Sequence, residues 1–337
     1  MLSEGKQFGL AYLDISEADA YLSAHQDHVL GVIGFGRRAP VACAPIWVDI
    51  PVLDGHDTSM EVWVSDAPVT RCDYHGINGA TDGNVLFGSV TLEQHPGDTL
   101  HALAKQAYTS IFEFIDHHDC RNLLRVWHYF PLINDDENGL ERYRSFNAGR
   151  HEGFVANGRS ISEESVPAAS ALGSNSGSLV VYFMAGKQPG TAVDNPRQVS
   201  AYRYPHLFGP RSPIFVRAMS ASVGGQHCFF ISGTASIVGY ETVHQGDAEK
   251  QTTETLLNIH TLLQQAPHYD PAQGRMLLKV YLRHAEDMAM VQAKIHAQFG
   301  AACSAVYLHS NICRSDLLLE IEGVYFTKDN GGRTSST

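Results

Sequence analysis

The chain has 337 residues, 44% hydrophobic and 18% charged, enough for two ordinary domains with real cores. Its net charge of −12 comes with no basic footprint, which speaks against a nucleic-acid partner, and no apolar run approaches the length of a membrane span. An anionic ligand would have to be drawn in by a local basic cluster, against the field of the whole molecule.

The N-terminus, MLSEGKQFGLAYLDISEADAYL, has no basic region followed by an apolar block, so no signal peptide is expected. Cys43, Cys72, Cys120, Cys228, Cys303 and Cys313 are scattered without a C-x-x-C pair, which suits a reducing cytoplasm better than a disulfide framework or a zinc site. Within residues 1–60 only HVLGVIGFG (28–36) reads clearly as a strand. The glycines of GVIGFGRR (31–38) do not make G-x-G-x-x-G, and GSNSG (173–177) is not G-x-S-x-G, so both are read as turns.

An internal repeat follows. ALAKQAYTSIFEFI (102–115), NLLRVWHYF (122–130) and RYRSFNAGRHEGF (142–154) read as helix, strand, helix. EKQTTETLLNIHTLL (249–263), MLLKVYLRH (276–284) and MAMVQAKIHAQFG (288–300) read the same way. Strands VLFGSVTL (85–92) and SLVVYFMA (178–185) flank the first unit; HCFFISGTASIV (227–238) and DLLLEIEGVYF (316–326) flank the second. The fold class expected is α+β: two fused lobes, each a mixed sheet with helices on one face. The N-terminal lobe, with its extension, covers 1–187 and the C-terminal lobe 198–326. The seam lies in GKQPGTAVDNPRQ (186–198), and the polar, Gly-rich tail 327–337 is expected to be disordered.

Three stretches carry candidate chemistry. In ERYRSFNAGR (141–150), Tyr143, Phe146 and Arg150 stand at offsets that can share a helix face. For this segment alone, a solvated face with Phe146 in the core is the simpler reading. YRYPHLFGPRSPIFVRA (202–218) brings Tyr202, Tyr204, Arg203, Arg211 and Arg217 together without an acid, and two prolines stiffen the loop around Arg211. Guanidinium forks on such a loop suit a carboxylate or phosphate. In CRSDLLLEIEGVYF (313–326), alternation places Leu317, Leu319 and Ile321 on one face and Leu318, Glu320, Glu322 and Val324 on the other. An ordinary half-solvated strand would do this, and so would a catalytic acid at the wall of a cleft. Cys313 is either a nucleophile or packing, and Arg314 beside it could lower its pKa. Among the 18 histidines, DHHD (116–119) reads as a solvated helix end, and without H-E-x-x-H no metal is expected.

The second repeat, through FFISGTASIVGYETVHQGDAEKQTTETLLNIHTLL, LLKVYLRHAEDMAMVQAKIHAQFG and LLLEIEGV, resembles the RidA/YjgF family. That resemblance puts Glu320 in a cleft. The family's Pro-Ala-Arg is replaced by Ser304-Ala305-Val306, which argues against imine-deaminase chemistry. Over most of its length the chain resembles the chorismatases, carried by LLRVWHYFPLIND, RYRSFNAGRHEGF, YRYPHLFGPRSPIFVRA, ISGTASIVG and ICRSDLLLEIEG.

This resemblance implies removal of the enolpyruvyl group of chorismate as pyruvate. Cys313 resembles the hydroxybenzoate-forming branches, and the nearest branch forms both 3- and 4-hydroxybenzoate for aryl-polyene pigment and ubiquinone precursors. The roles implied are Glu320 as general acid, Cys313 as product-determining, and Arg150, Arg217 and Tyr204 as carboxylate clamps supported by Tyr143, Tyr202 and Arg211. No cofactor is implied; the partner is the small molecule, and a homotrimer or a monomer is expected. The rival readings are a RidA-like imine or enamine hydrolase and a non-catalytic module that binds aromatic acids.

Overall fold

A computed structural model describes residues 7–41, 43, 45–205, 208–266, 269–272, 274–300 and 303–327. The tail expected to be disordered lies outside them from residue 328 onward.

The two repeats become two six-stranded sheets with one strand order. In the first, Ala168–Ser174, Asn122–Pro131, Leu179–Gly186, Val85–Leu92, Ile77–Thr81 and Thr70–Tyr74 lie side by side. In the second the order is Cys303–His309, Arg275–Leu282, Leu319–Phe326, Gln226–Thr234, Ala218–Val223 and Thr191–Val193. Each sheet has a single parallel pair at one edge, and the other neighbours are antiparallel.

Residues 9–64 supply what the sequence left unplaced. They form a third, four-stranded sheet in the order Gly9–Asp14, Thr58–Val64, Val29–Gly36, Ile46–Val48, with helix α1 (Ile15–Ala24) against it. The architecture is therefore three sheets around a shared interior. Trp63 of the N-terminal sheet meets Trp127 of the first lobe at 5.9 Å and Phe230 of the second at 6.3 Å between ring centroids.

Helices cover the outer faces. α2 (Leu100–His117) starts where the Thr99 hydroxyl accepts from the Ala102 N–H, and it buries a stripe that includes Leu103, Ala107, Ile111 and Phe114. α3 (Arg142–Ala156) lies along α2. A Cβ on Gly149 would sit 2.0 Å from the His101 carbonyl, and one on Gly153 would sit 2.6 Å from the Tyr108 Cβ. The two glycines thus let the helices approach more closely than side chains would allow. In the second lobe, α4 (Ala248–Leu263) and α5 (Met288–Phe299) bury Leu256, Ile259, Val291 and Ile295 against Leu319, Ile321 and Tyr325 of the sheet.

The strand Leu319–Phe326 is not half-solvated. All eight residues are buried: one face meets α4 and α5, and the other, with Glu320, Glu322 and Val324, meets the interior between sheets. The alternation expected from the sequence begins only at Leu319. Leu317 and Leu318 precede the strand, and their sides are exchanged, Leu317 joining the inter-sheet core and Leu318 packing toward α4 and α5.

No helix among the described residues is long and apolar enough to cross a membrane. His117 of the DHHD stretch closes α2 and stacks on Tyr74 at 4.1 Å.

Candidate active site

A cavity of about 440 Å³ opens where the parallel edge of the first sheet meets the second lobe. The Ser232 hydroxyl fastens the two there. It donates to the Val216 carbonyl at 2.5 Å and accepts from the Ala169 N–H at 3.0 Å. The pairing of Gln226–Thr234 with Leu319–Phe326 is irregular between Ile231 and Thr234, which brings Gly233 directly against Glu320. A Cβ at Gly233 would lie 2.0 Å from Oε1 of Glu320, so any side chain there would force that carboxyl to move.

Glu320 lines the cavity and is 4% exposed. Burial pushes its carboxyl up to about 8, the charge of Glu322 adds to the shift, and Arg125 and the Cys313 contact oppose it. Near neutral pH it therefore holds a proton. The Cys313 thiol lies 3.8 Å from Oε2 of Glu320. Burial drives this thiol well up, Glu320 adds, and Arg314 opposes too weakly to reverse the shift. The expectation that Arg314 would activate Cys313 is thus corrected, because desolvation of the thiolate outweighs the neighbouring cation. Cys313 remains a protonated thiol, unsuited to nucleophilic attack.

The cationic wall comes from both lobes. Arg150 of α3 is 2% exposed and stacks over the Tyr108 ring, with Cζ 5.0 Å from the centroid. Its Nε and Nη2, the edge that makes a side-on fork, have no hydrogen-bond partner in the protein. Arg217 donates from Nη2 to the Tyr204 hydroxyl at 2.7 Å and to the Val199 carbonyl at 2.6 Å, while its Nε is buried without a partner. Phe146 is in the core as the simpler reading of α3 expected, but Tyr143 and Arg150 share the cavity wall with it, so the solvated face is overturned. The helix packs along α2, and its polar residues Arg142, Ser145, Asn147 and Arg150 are buried, while Arg144 is half-buried and Glu152 exposed.

Two candidates stand outside. Arg211 is exposed and does not line the cavity; neither does Tyr202, which is half-buried against the core in the turn Ala201–Arg203 with Arg203 over its ring at 5.5 Å. Among the described residues of this stretch, Tyr204 and Arg217, with Phe208, Pro213 and Phe215, reach the wall.

Several wall residues were not singled out from the sequence. Asn147 lies one turn before Arg150, is 1% exposed, lines the cavity, and neither of its side-chain polar atoms has a hydrogen-bond partner. Its spacing from Tyr143 and Arg150 on α3 was the available signal. Arg314 donates to the Tyr240 carbonyl at 2.9 Å and lies 4.3 Å over the Phe208 ring.

Beneath Glu320 lies a buried ion network. Glu322 pairs with Arg125 and, at 2.9 Å, with Lys279, which also meets Glu61 at 2.7 Å. Tyr281 donates to Glu322 at 2.8 Å, and Tyr182 accepts from Lys279 at 2.7 Å. Two carboxylates and two cations balance. Burial pushes the Glu322 carboxyl up, yet Lys279 and Arg125 outweigh it and hold Glu322 below the usual range. Two carboxyls two residues apart on one strand thus take opposite states, Glu322 ionised and Glu320 protonated. Among the described residues no group of His, Cys, Asp and Glu is placed to hold a metal ion.

Comparison with known proteins agrees with this picture. A family model described as chorismatase FkbO/Hyg5-like, N-terminal, matches residues 61–185. A 3-hydroxybenzoate synthase of Streptomyces hygroscopicus is 37% identical over 279 residues, covering 78% of this chain and 80% of that protein. A chorismatase of Streptomyces rapamycinicus is 35% identical over 275 residues, covering 78% and 81%. A crystal structure of a chorismatase superposes with a TM-score of 0.84 at 29% identity, over 95% of this chain and 98% of that one. Sequence kinship across more than three-quarters of the chain and a shared fold across nearly all of it have one reading: the chain belongs to the chorismatase family.

Proposed function

We propose that the protein cleaves chorismate to 3-hydroxybenzoate and pyruvate, with some 4-hydroxybenzoate. The observation that carries this reading is Glu320: a buried carboxyl, protonated near neutral pH, in the wall of a cavity that also holds the guanidinium groups of Arg150 and Arg217. Chorismate is a dicarboxylate with an enol ether. Cleaving that ether requires a proton at the methylene carbon and a grip on two negative charges.

In this reading Glu320 is the general acid. Its proton goes to the methylene carbon, an oxocarbenium-like centre forms, and the ether bond to the ring breaks with its electron pair moving to the side-chain oxygen, which leaves as pyruvate. Attack by the neighbouring ring hydroxyl at the carbon that loses the ether gives an epoxide-like intermediate. Its opening and loss of one ring proton give the phenol. That proton restores the acid, and no water is consumed. The cleavage divides chorismate into hydroxybenzoate plus pyruvate with every atom accounted for.

Arg150 and Arg217 clamp the carboxylates, and Tyr204 and Tyr143 support them. Tyr202 and Arg211 are left out of the contact set, since neither lines the cavity. Cys313, a protonated thiol 3.8 Å from Glu320, shapes the ring's position and so the product ratio. The test is incubation with chorismate, chromatography of the aromatic products and an enzymatic assay of pyruvate. Equimolar pyruvate and hydroxybenzoate, mainly the 3-isomer, are expected, and Cys313→Ala should change the isomer ratio more than total pyruvate. Absence of pyruvate would overturn the proposal.

A further inference from the structure

Behind Arg150 lies a chain of buried polar groups that starts at Ser170 in the cavity wall and runs back to His128 and Tyr108, which do not line the cavity. The Ser170 carbonyl lies 2.7 Å from Nδ1 of His128, and Nε2 of His128 lies 2.7 Å from the Tyr108 hydroxyl. Tyr108 and His128 are 0% exposed. Phe146 closes over the imidazole at 5.0 Å, and Gly153 gives Tyr108 the room to stand beside Arg150.

The chain has only one possible polarity. A carbonyl oxygen can only accept, so Nδ1 of His128 carries the hydrogen. Burial, reinforced by Arg150 and Arg125, holds this imidazole neutral, so Nε2 has no hydrogen and must accept. The Tyr108 hydroxyl therefore spends its proton on His128. Its oxygen is left with only lone pairs to offer Arg150, whose guanidinium is held over the phenol ring with Cζ 5.0 Å from the centroid. A phenol free to rotate could turn its proton toward the cation and repel it; this one cannot.

We propose that His128 and Tyr108 are positioning residues: the one-way hydrogen-bond chain from Ser170 through His128 to Tyr108 presets the Arg150 guanidinium as a carboxylate clamp. The proposal rests on the functional reading given above. It explains why Nε and Nη2 of Arg150 lack partners in the protein: the phenol and the helix hold the group in place, and the fork is kept for the substrate. A cation fixed before the ligand arrives loses little freedom on binding.

The test is Tyr108→Phe, which deletes one hydroxyl. The attraction between the hydroxyl's lone pairs and the buried cation is taken at the scale of a polar contact to a charged group, roughly one to two powers of ten in affinity. KM for chorismate should rise about 10- to 100-fold with kcat kept within about twofold. The same substitution in an Arg150→Lys background should cost much less, because the clamp that it orients is gone. His128→Asn, whose amide can still donate to Ser170 but offers Tyr108 no acceptor in place of Nε2, should raise KM in the same way. An unchanged KM, a loss confined to kcat, or an equal cost in the Arg150→Lys background would overturn the proposal. If the unsubstituted enzyme does not turn over chorismate, the functional reading fails instead. The chain itself is then judged by the ¹⁵N shifts of His128: Nδ1–H with a bare Nε2 supports it, and Nε2–H refutes it.

Discussion

At the scale of single residues, the site depends on two carboxyls that share a strand face and differ in what surrounds them. Glu322 has a salt-bridge partner on each side, whereas Glu320 has a thiol, a glycine and a cavity. Raised to about 8, Glu320 should give an alkaline limb: kcat/KM falls as pH climbs through about 8, because the acid must be protonated to act. Stability follows the same sign. The folded state keeps a proton that the unfolded chain releases, so this group costs stability as pH rises from the ordinary 4.5 toward about 8. Glu322→Gln removes the second-largest upward push and frees Arg125 to pull Glu320 down, so the limb should move to lower pH. A limb that stays in place would show that Glu322 does not tune the acid.

As cavity-lining positions, Tyr204 and Arg217 were legible because they sit in a short stretch of unusual composition, and Glu320 because an acid interrupts an apolar strand, whereas Tyr143, Arg150 and Cys313 were reached through the family resemblance. The same local density pulled in Tyr202 and Arg211, since an irregular loop gives no period from which to tell inward from outward. The ion network was not legible. Glu322 lies 197 residues from Arg125, and nothing near either position marks the other.

At the scale of elements, α2 and α3 decide where Arg150 stands. Their contact needs Gly149, where an added Cβ would press to 2.0 Å on the backbone carbonyl of His101. A carbonyl in a helix cannot swing aside as a side-chain tip can. Gly149→Ala should therefore lower stability by about 1–3 kcal/mol, read as a lower Tm, and raise KM as α3 shifts. An unchanged Tm would mean that the helices tolerate the methyl by sliding. The helix and strand units were readable from period alone, because each lobe buries one continuous stripe. The small strands of residues 9–64 were not, apart from Val29–Gly36. Gly9–Asp14 and Ile46–Val48 are short and only partly buried, and Thr58–Val64 is buried on both faces, so neither length nor burial gives them a clear alternation.

At the scale of the molecule, the ion network ties three sheets together: Glu61 from the N-terminal sheet, Arg125 from the first lobe, Lys279 and Glu322 from the second. Removing Lys279 strands Glu61 in the interior, while Glu322 keeps Arg125. Lys279→Met should cost about 3–5 kcal/mol, and Lys279→Met with Glu61→Gln, which restores charge balance, should recover part of it. A double variant that loses the sum of both single effects would contradict the view of the four as one unit. The strand order shared by the two lobes was implied by the sequence repeat. Closure of the interior by a third sheet was not, because it depends on contacts between segments far apart in the chain.

The most direct measurement of the central claim is pyruvate release from chorismate by Glu320→Gln, which keeps the shape of the side chain and removes its acidic proton. The account predicts a loss of at least about 100-fold in kcat with Tm unchanged. Release near the unsubstituted rate would contradict it.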